Sequence, residues 1–255
     1  MVDGSPLATD WIEPNWPVSP RVRALCTTRS GGVSEGPFAS LNLADHVGDD
    51  PSHVAHNRAL VRKHLRLPGD PYWLRQVHGC AVADATADHR DCRADAAVAL
   101  RPGEVCVVMT ADCLPLLLCD RAGTRVAAVH AGWRGLADGV IEAAVSRFAV
   151  PSLEVLCWLG PAIGPQAFEV GAEVRARFLE RGGETAEAAF RPAPGGKWLA
   201  NIYSLAVERL HRCGIDRIWG GGLCTYSDPG RFFSYRRDGV TGRMASLIWI
   251  DPEMA

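Results

Sequence analysis

The sequence predicts an α/β (α+β) fold, a single domain of mixed β-sheets flanked by helices. Three observations lead there. Apolar runs of strand length alternate with helix-periodic segments along the chain, and no linker or repeat of 20 to 50 residues divides them. The joint Asp120 to Thr124 between two apolar runs is too short for a parallel crossover, so part of the sheet must be antiparallel. The domain is expected over residues 21–255, preceded by an extended arm over residues 1–20 whose prolines, with Trp11 and Trp16, suit neither helix nor strand.

Composition narrows the function classes. The 255 residues are 47% hydrophobic and 22% charged, which is globular and not disordered. A net charge of −2 gives no general attraction to nucleic acid or acidic membranes. The start, Met-Val-Asp-Gly-Ser-Pro, lacks the basic segment and apolar core of a secretory signal, and no apolar run reaches membrane-spanning length. A cytoplasmic protein is the expectation. Nine scattered cysteines with no Cys-X-X-Cys pair read as reduced, mostly buried thiols.

In order, Arg21 to Thr27 alternates as a first strand and leads into the Gly-rich loop Thr27 to Ser34, from which Arg29 is expected to face an anion. Pro51 to Leu67 has helical spacing, with Ser52 as N-cap; His53 and His56 lack an acidic or thiol partner and read as solvated. Tyr72 to Gly79 reads as a strand ending at His78, and Asp95 to Leu100 as a buried element. Val105 to Gly139 holds three strands, with Cys113 and His130 at the ends of apolar runs. Trp133 to Phe148 is an amphipathic helix, entered by a turn that offers backbone N–H groups and Arg134 beside His130.

Further on, Leu153 to Leu159 is a strand, and Phe168 opens a helix through about Arg181. Residues 182–197 read as a variable surface insertion, and Trp198 to Cys213 as a second helix. The last strands are Ile215 to Leu223 and Met244 to Ile250, separated by an aromatic and arginine run in which Arg236 or Arg237 is expected to face charge in a pocket. A thiol and an imidazole at strand ends can bind a borderline metal or act as nucleophile and base. The residues alone leave that choice open.

Seven pieces carry a resemblance: Thr27-Thr28-Arg29-Ser-Gly-Gly-Val-Ser, Ser40-Leu-Asn42-Leu, Gln76-Val-His78-Gly, Ala111-Asp112-Cys113-Leu-Pro, Val129-His130-Ala-Gly-Trp133-Arg134-Gly, Leu159-Gly-Pro-Ala-Ile-Gly-Pro and Phe233-Ser-Tyr-Arg236-Arg-Asp-Gly. With them the chain resembles the YfiH-like purine nucleoside phosphorylases, once described as laccase-domain or multicopper polyphenol oxidoreductase proteins. The resemblance implies a fold compared with the YfiH-like cysteine hydrolases and a zinc ion held by His78, Cys113 and His130. It also implies phosphorolysis of adenosine, inosine and methylthioadenosine, with adenosine deamination in the same site, by a monomer whose partners are a purine nucleoside and phosphate. Two imidazoles and a thiolate leave a fourth position for a water of lowered pKa, which suits deamination, with Asp112 moving protons. Arg29, Asn42, Gln76, Arg134 and Arg236 are the expected contacts to nucleoside and phosphate.

Copper oxidase chemistry fits poorly, because none of the eight histidines forms a His-X-His pair. Two other readings stay in play. Some members of the family look like peptidoglycan editing hydrolases acting on a muramyl-peptide precursor, with Cys113 attacking and His130 as base. In the third, non-enzymatic reading, zinc only staples the fold of a binding protein.

Overall fold

A computed structural model of the chain describes residues 10–86 and 92–254. The start of the expected arm (1–9) and residues 87–91 lie outside the described residues. In chain order the elements are β1 (Val22–Cys26), α1 (Pro51–Leu65), β2 (Pro71–Tyr72), β3 (Val82–Asp84), β4 (Ala96–Ala99), β5 (Val105–Thr110), β6 (Leu114–Asp120) and β7 (Val126–Ala131). Then come α2 (Trp133–Asp138), α3 (Val140–Ser146), β8 (Val155–Leu159), β9 (Glu169–Val170), α4 (Ala172–Glu187), β10 (Phe190–Ala193) and β11 (Lys197–Ala200). The chain closes with α5 (Ile202–Arg212), β12 (Ile218–Gly220), α6 (Tyr235–Asp238) and β13 (Met244–Ile250).

The architecture is mixed α/β, as expected. A six-stranded sheet runs β12-β8-β6-β7-β4-β3, a four-stranded sheet β1-β13-β5-β2, and a small sheet β10-β11-β9. Antiparallel pairs (β6 with β7 and β8) coexist with parallel ones (β3 with β4, β8 with β12). Every residue of β6 and β7 is buried, because the six-stranded sheet is covered on both faces, and every residue of β5 in the four-stranded sheet is buried as well. That two-sided burial is why these strands read as unbroken apolar runs.

Alternation within the runs positions the site. Leu114, Leu116 and Leu118 with Ala127, Val129 and Ala131 pack toward the helices, among Leu136, Ile141 and Phe148. Leu117 and Cys119 with Val126 and Ala128 face the other sheet, against Cys106, Val108 and Ile248. The strand period of two therefore carries Cys113 and His130 to the face between the sheets, at the same end of the β6–β7 hairpin, where His130 pairs across to Pro115. Truncating a buried leucine such as Leu117 would cost roughly 2–5 kcal/mol.

Several local expectations change. α1 is capped by Asp50, whose carboxylate accepts the Ser52 N–H, so Ser52 lies inside the helix behind Pro51. Of the strand expected over Tyr72 to Gly79 only Tyr72 pairs, together with Pro71 before it, and His78 sits in a loop with φ 61°. The helix expected over Trp133 to Phe148 is two, broken at Gly139 with φ 110°. Residues 182–197, mostly exposed, hold regular structure: α4 runs on to Glu187, and the hairpin β10–β11 follows. Phe190 of that hairpin is buried, its ring 6.0 Å from Phe178 of α4. Its burial makes the segment part of the body, whatever its Gly, Ala and Pro content suggests. Trp198 belongs to β11, and α5 begins after Asn201, whose side chain accepts the Ser204 N–H. Among the described residues no helix is long and apolar enough to cross a membrane.

Candidate metal centre and active-site cavity

The hairpin delivers two of the three expected ligands. His130 is the penultimate residue of β7 and 3% exposed, and Cys113 immediately precedes β6. His78 reaches them from the loop after β2, with its Nε2 3.9 Å from Cys113 Sγ. The ligand atoms of His78, Cys113 and His130 all lie within 4.8 Å of one another, the only group of three or more such residues found among the described residues.

The fit of the His78 loop depends on two glycines after His130. A Cβ at Gly132 would stand 2.7 Å from His78 Cδ2 and 3.1 Å from Cys113 Sγ. One at Gly135 would stand 2.7 Å from the Gly79 carbonyl oxygen. Glycine is thus required here for close approach of the loop to α2. On the other side lies Asp95, fully buried just before β4. Its carboxylate accepts the His130 Nδ1–H at 2.8 Å and the backbone N–H groups of Val77 (3.2 Å), His78 (2.8 Å) and Gly79 (2.7 Å).

The electrostatics suit a thiolate. Burial pushes the Cys113 thiol up, but the charge and hydrogen bond of His130, with help from His78, outweigh it and bring it down to about 6. Burial pushes His130 down, yet Cys113 and Asp95 raise it to about 9. With Nδ1 committed to Asp95, His130 has Nε2 left for the cluster. A soft thiolate and two imidazoles gathered around a space kept clear by glycine fit a metal ion of borderline softness.

Above the cluster opens a cavity of about 450 Å³, lined among others by Gln76, Asp112, Ile163, Phe168, Arg134 and Arg236. Arg134 and Arg236 are exposed at its rim. The Arg134 guanidinium lies 4.5 Å from the Trp133 ring, and Arg236 donates to the Glu169 carbonyl at 2.7 Å. Gln76 clamps the backbone of Met109, donating to its oxygen and accepting its N–H, both at 2.8 Å. Asp112 has φ 97°; its carboxylate accepts from Thr225 Oγ1 at 2.6 Å and from the Arg236 backbone N–H at 2.7 Å.

Arg29 and Asn42 do not line this cavity. Arg29 donates to the carbonyls of Ala39 (3.0 Å) and Pro229 (2.9 Å) and lies over the Phe233 ring. Asn42 is buried, and its side-chain oxygen accepts the Arg243 N–H at 3.0 Å. Arg237, the neighbour of Arg236, is used up on the carbonyls of Thr225, Tyr226 and Phe232 and on Asp238. Sequence reasoning missed three residues of note: Asp95, His46 at the cavity wall, and Arg243, whose guanidinium is held by the Thr241 and Gly242 carbonyls. A carboxylate directly before an all-apolar strand was the available signal for Asp95; nothing marked Arg243.

Comparison with known proteins identifies relatives of the whole chain. The family described as multi-copper polyphenol oxidoreductase laccase matches residues 23–251. A Pseudomonas aeruginosa protein named purine nucleoside phosphorylase PA4543 is 55% identical over 240 residues, covering 94% of this chain and 98% of its own. The Escherichia coli K12 protein named purine nucleoside phosphorylase YfiH is 54% identical, with the same 94% and 98% coverage. Among solved structures, Neisseria meningitidis protein NMB0706 superposes with a TM-score of 0.91 at 48% identity, over 95% of this chain and 99% of that one. Bacillus licheniformis YfiH superposes with a TM-score of 0.86 at 30% identity, over 91% and 93%. From the motif order, the shared fold and the extent of these matches, the chain belongs to the laccase-domain family that contains the YfiH proteins.

Proposed function

We propose that this chain is a zinc-dependent purine nucleoside phosphorylase, acting on adenosine, inosine and methylthioadenosine and deaminating adenosine in the same cavity. One observation carries the reading: a single cavity joins a thiolate and two imidazoles on one wall to the guanidinium groups of Arg134, Arg236 and Arg243 on the others. The names of the relatives at 54% and 55% identity point the same way.

His78, Cys113 and His130 would hold the zinc. Lewis-acid activation of an oxygen nucleophile is the chemistry a bound ion supplies there. Arg236 and Arg134, exposed at the rim, meet the charge of phosphate, and the apolar side chains of Ile163, Phe168 and Ile202 shield the purine from water. In phosphorolysis a phosphate oxygen bonds to the ribose anomeric carbon as the bond to the purine nitrogen breaks, and the base leaves after gaining a proton. In deamination water instead adds to the amine-bearing carbon of adenosine, its proton passes to the amine, and the carbon–nitrogen bond breaks to release ammonia and leave inosine. Asp112 borders this space, and each of its oxygens keeps a lone pair beyond the bonds from Thr225 and Arg236. Gln76 keeps Met109 and its neighbours in place as the opposite wall.

The test is to incubate zinc-loaded protein with adenosine or inosine, with and without phosphate, and to follow adenine, hypoxanthine, inosine and ribose 1-phosphate. Free base and ribose 1-phosphate should form only with phosphate, and inosine from adenosine without it. Stoichiometric zinc with none of these products would overturn the reading.

One observation favours a second reading. Cys113 lowered to about 6 beside a His130 anchored by Asp95 is also the arrangement of a cysteine hydrolase, which would act on a muramyl-peptide precursor. A covalent acyl adduct on Cys113, trapped in chelated protein and seen by mass spectrometry, would establish it. Activity that tracks zinc occupancy with no adduct would exclude it.

A further inference from the structure

We propose that Asp95 is the positioning residue that sets both imidazoles of the centre at once; this rests on reading His78, Cys113 and His130 as metal ligands. The two histidines arrive on different elements, one on β7 and one on an irregular loop, and the same buried carboxylate holds each. Oδ1 takes the His130 Nδ1–H and the His78 backbone N–H, both at 2.8 Å. Oδ2 takes the backbone N–H groups of Gly79 at 2.7 Å and Val77 at 3.2 Å. The Asp95 carbonyl adds a second tie to His130, accepting its backbone N–H at 2.7 Å.

Two consequences follow from this bonding. A carboxylate in this position only accepts, so Nδ1 of His130 must carry the proton and Nε2 must be the donor atom toward the cluster. The three successive N–H groups converging on it hold His78 at φ 61°, a backbone region that a residue with a side chain seldom occupies without outside support. Asparagine cannot replace Asp95, because its NH₂ would face donors where an acceptor is needed. Glutamate adds a methylene at a fully buried position and would push the oxygens off these four donors.

The experiment measures zinc affinity of full-length wild type and D95N by competition with a chromophoric chelator, alongside the thiolate-to-metal bands of the cobalt-substituted forms and the melting of the metal-free proteins. D95N should bind zinc about 10–100-fold more weakly, with shifted cobalt bands. A lower melting temperature with unchanged zinc affinity and cobalt bands would mean that Asp95 is merely structural, and would overturn the proposal. Should D95N fail to fold, long-range imidazole ¹⁵N spectra of zinc-loaded wild type decide it. Coordination of His130 through Nε2 with a protonated Nδ1 is expected, and coordination through Nδ1 overturns it. A wild type that takes up no metal would remove the metal reading itself and this inference with it, whereas tight wild-type binding matched by D95N removes this inference alone.

Discussion

On the wall of the cavity that carries His78, Cys113 and His130, each candidate ligand is fixed by neighbours it cannot easily leave. Cys113 and His130 ride on a fully buried hairpin, and His78 is wedged between Asp95 and the space left by Gly132. At the rim, the looser wall, Arg134 and Arg236 are exposed; Arg134 rests on the Trp133 ring, and Arg236 on the Phe168 ring and a single carbonyl. Ligand geometry for a metal tolerates little error, so it is built where packing over-determines position. An anion contact tolerates more, since a long guanidinium side chain can follow a mobile phosphate. Perturbing the rigid wall should therefore abolish the site, and perturbing the loose wall should only retune it.

The largest expected effect comes from Cys113→Ser, which removes the soft ligand. Metal content should fall below stoichiometry and turnover by more than ~100-fold, because even partners one bond further out cost about 10–100-fold. Metal analysis paired with steady-state rates checks this, and a serine variant that keeps both would dissolve the contrast between the walls. Chelation of the wild type should stop turnover while leaving a cooperative melting transition, since the sheets that carry Cys113 and His130 are packed by apolar contacts and not by the ion. Losing an ion held at ~100 times its dissociation constant removes about 2.7 kcal/mol, or roughly 5–10 °C for a domain of this size. Complete unfolding on chelation would instead mean a structural staple.

Next is Gly132→Ala. The added methyl would meet His78 at 2.7 Å and the Cys113 sulfur at 3.1 Å, so the His78 loop must move. Overpacking of this kind costs about 1–3 kcal/mol, and metal affinity should drop with it. A variant with wild-type affinity would show that the rigid wall has more slack than its contacts suggest. On the loose wall, Arg236→Ala should leave metal content unchanged and raise the KM for phosphate roughly tenfold or more, the scale of one hydrogen bond to a charged group. Steady-state rates at varied phosphate would read this directly.

The same contrast explains what the sequence disclosed. Cys113 and His130 stood at the ends of apolar runs, and a strand period of two suffices to place them on one face. The fold class followed from the same runs, because two-sided burial writes itself into composition. His78 did not have that advantage. It lies in a loop with positive φ, and only the resemblance to a known family singled it out from the other histidines. Asp95 was invisible as a partner because its ties cross from the start of β4 to a distant loop and to β7, a pairing set by tertiary topology. The helix end and hairpin at 182–197 went unread for a related reason: the burial of Phe190 against Phe178 outweighed a loop-like composition.

Arg29 gives the smallest effect and the sharpest separation of local from tertiary reasoning. A Gly-rich loop suggests an arginine presented to an anion, yet the glycine at 32 serves a close approach of chain to chain, since a Cβ there would collide with the Ser40 carbonyl oxygen. Arg29 itself spans that loop and the segment at Pro229, bonding one carbonyl in each and stacking on Phe233. Partial burial holds its guanidinium below the usual arginine value, in keeping with a half-buried side chain. Arg29→Ala should therefore cost about 1–3 kcal/mol of stability through the lost charged hydrogen bonds and the ring contact, read as an earlier denaturation midpoint. The KM for phosphate should stay within about twofold of wild type, well short of the tenfold that one charged hydrogen bond is worth. A large KM rise without loss of stability would return Arg29 to the anion site and place part of the phosphate contact outside the cavity described by Arg134, Arg236 and Arg243.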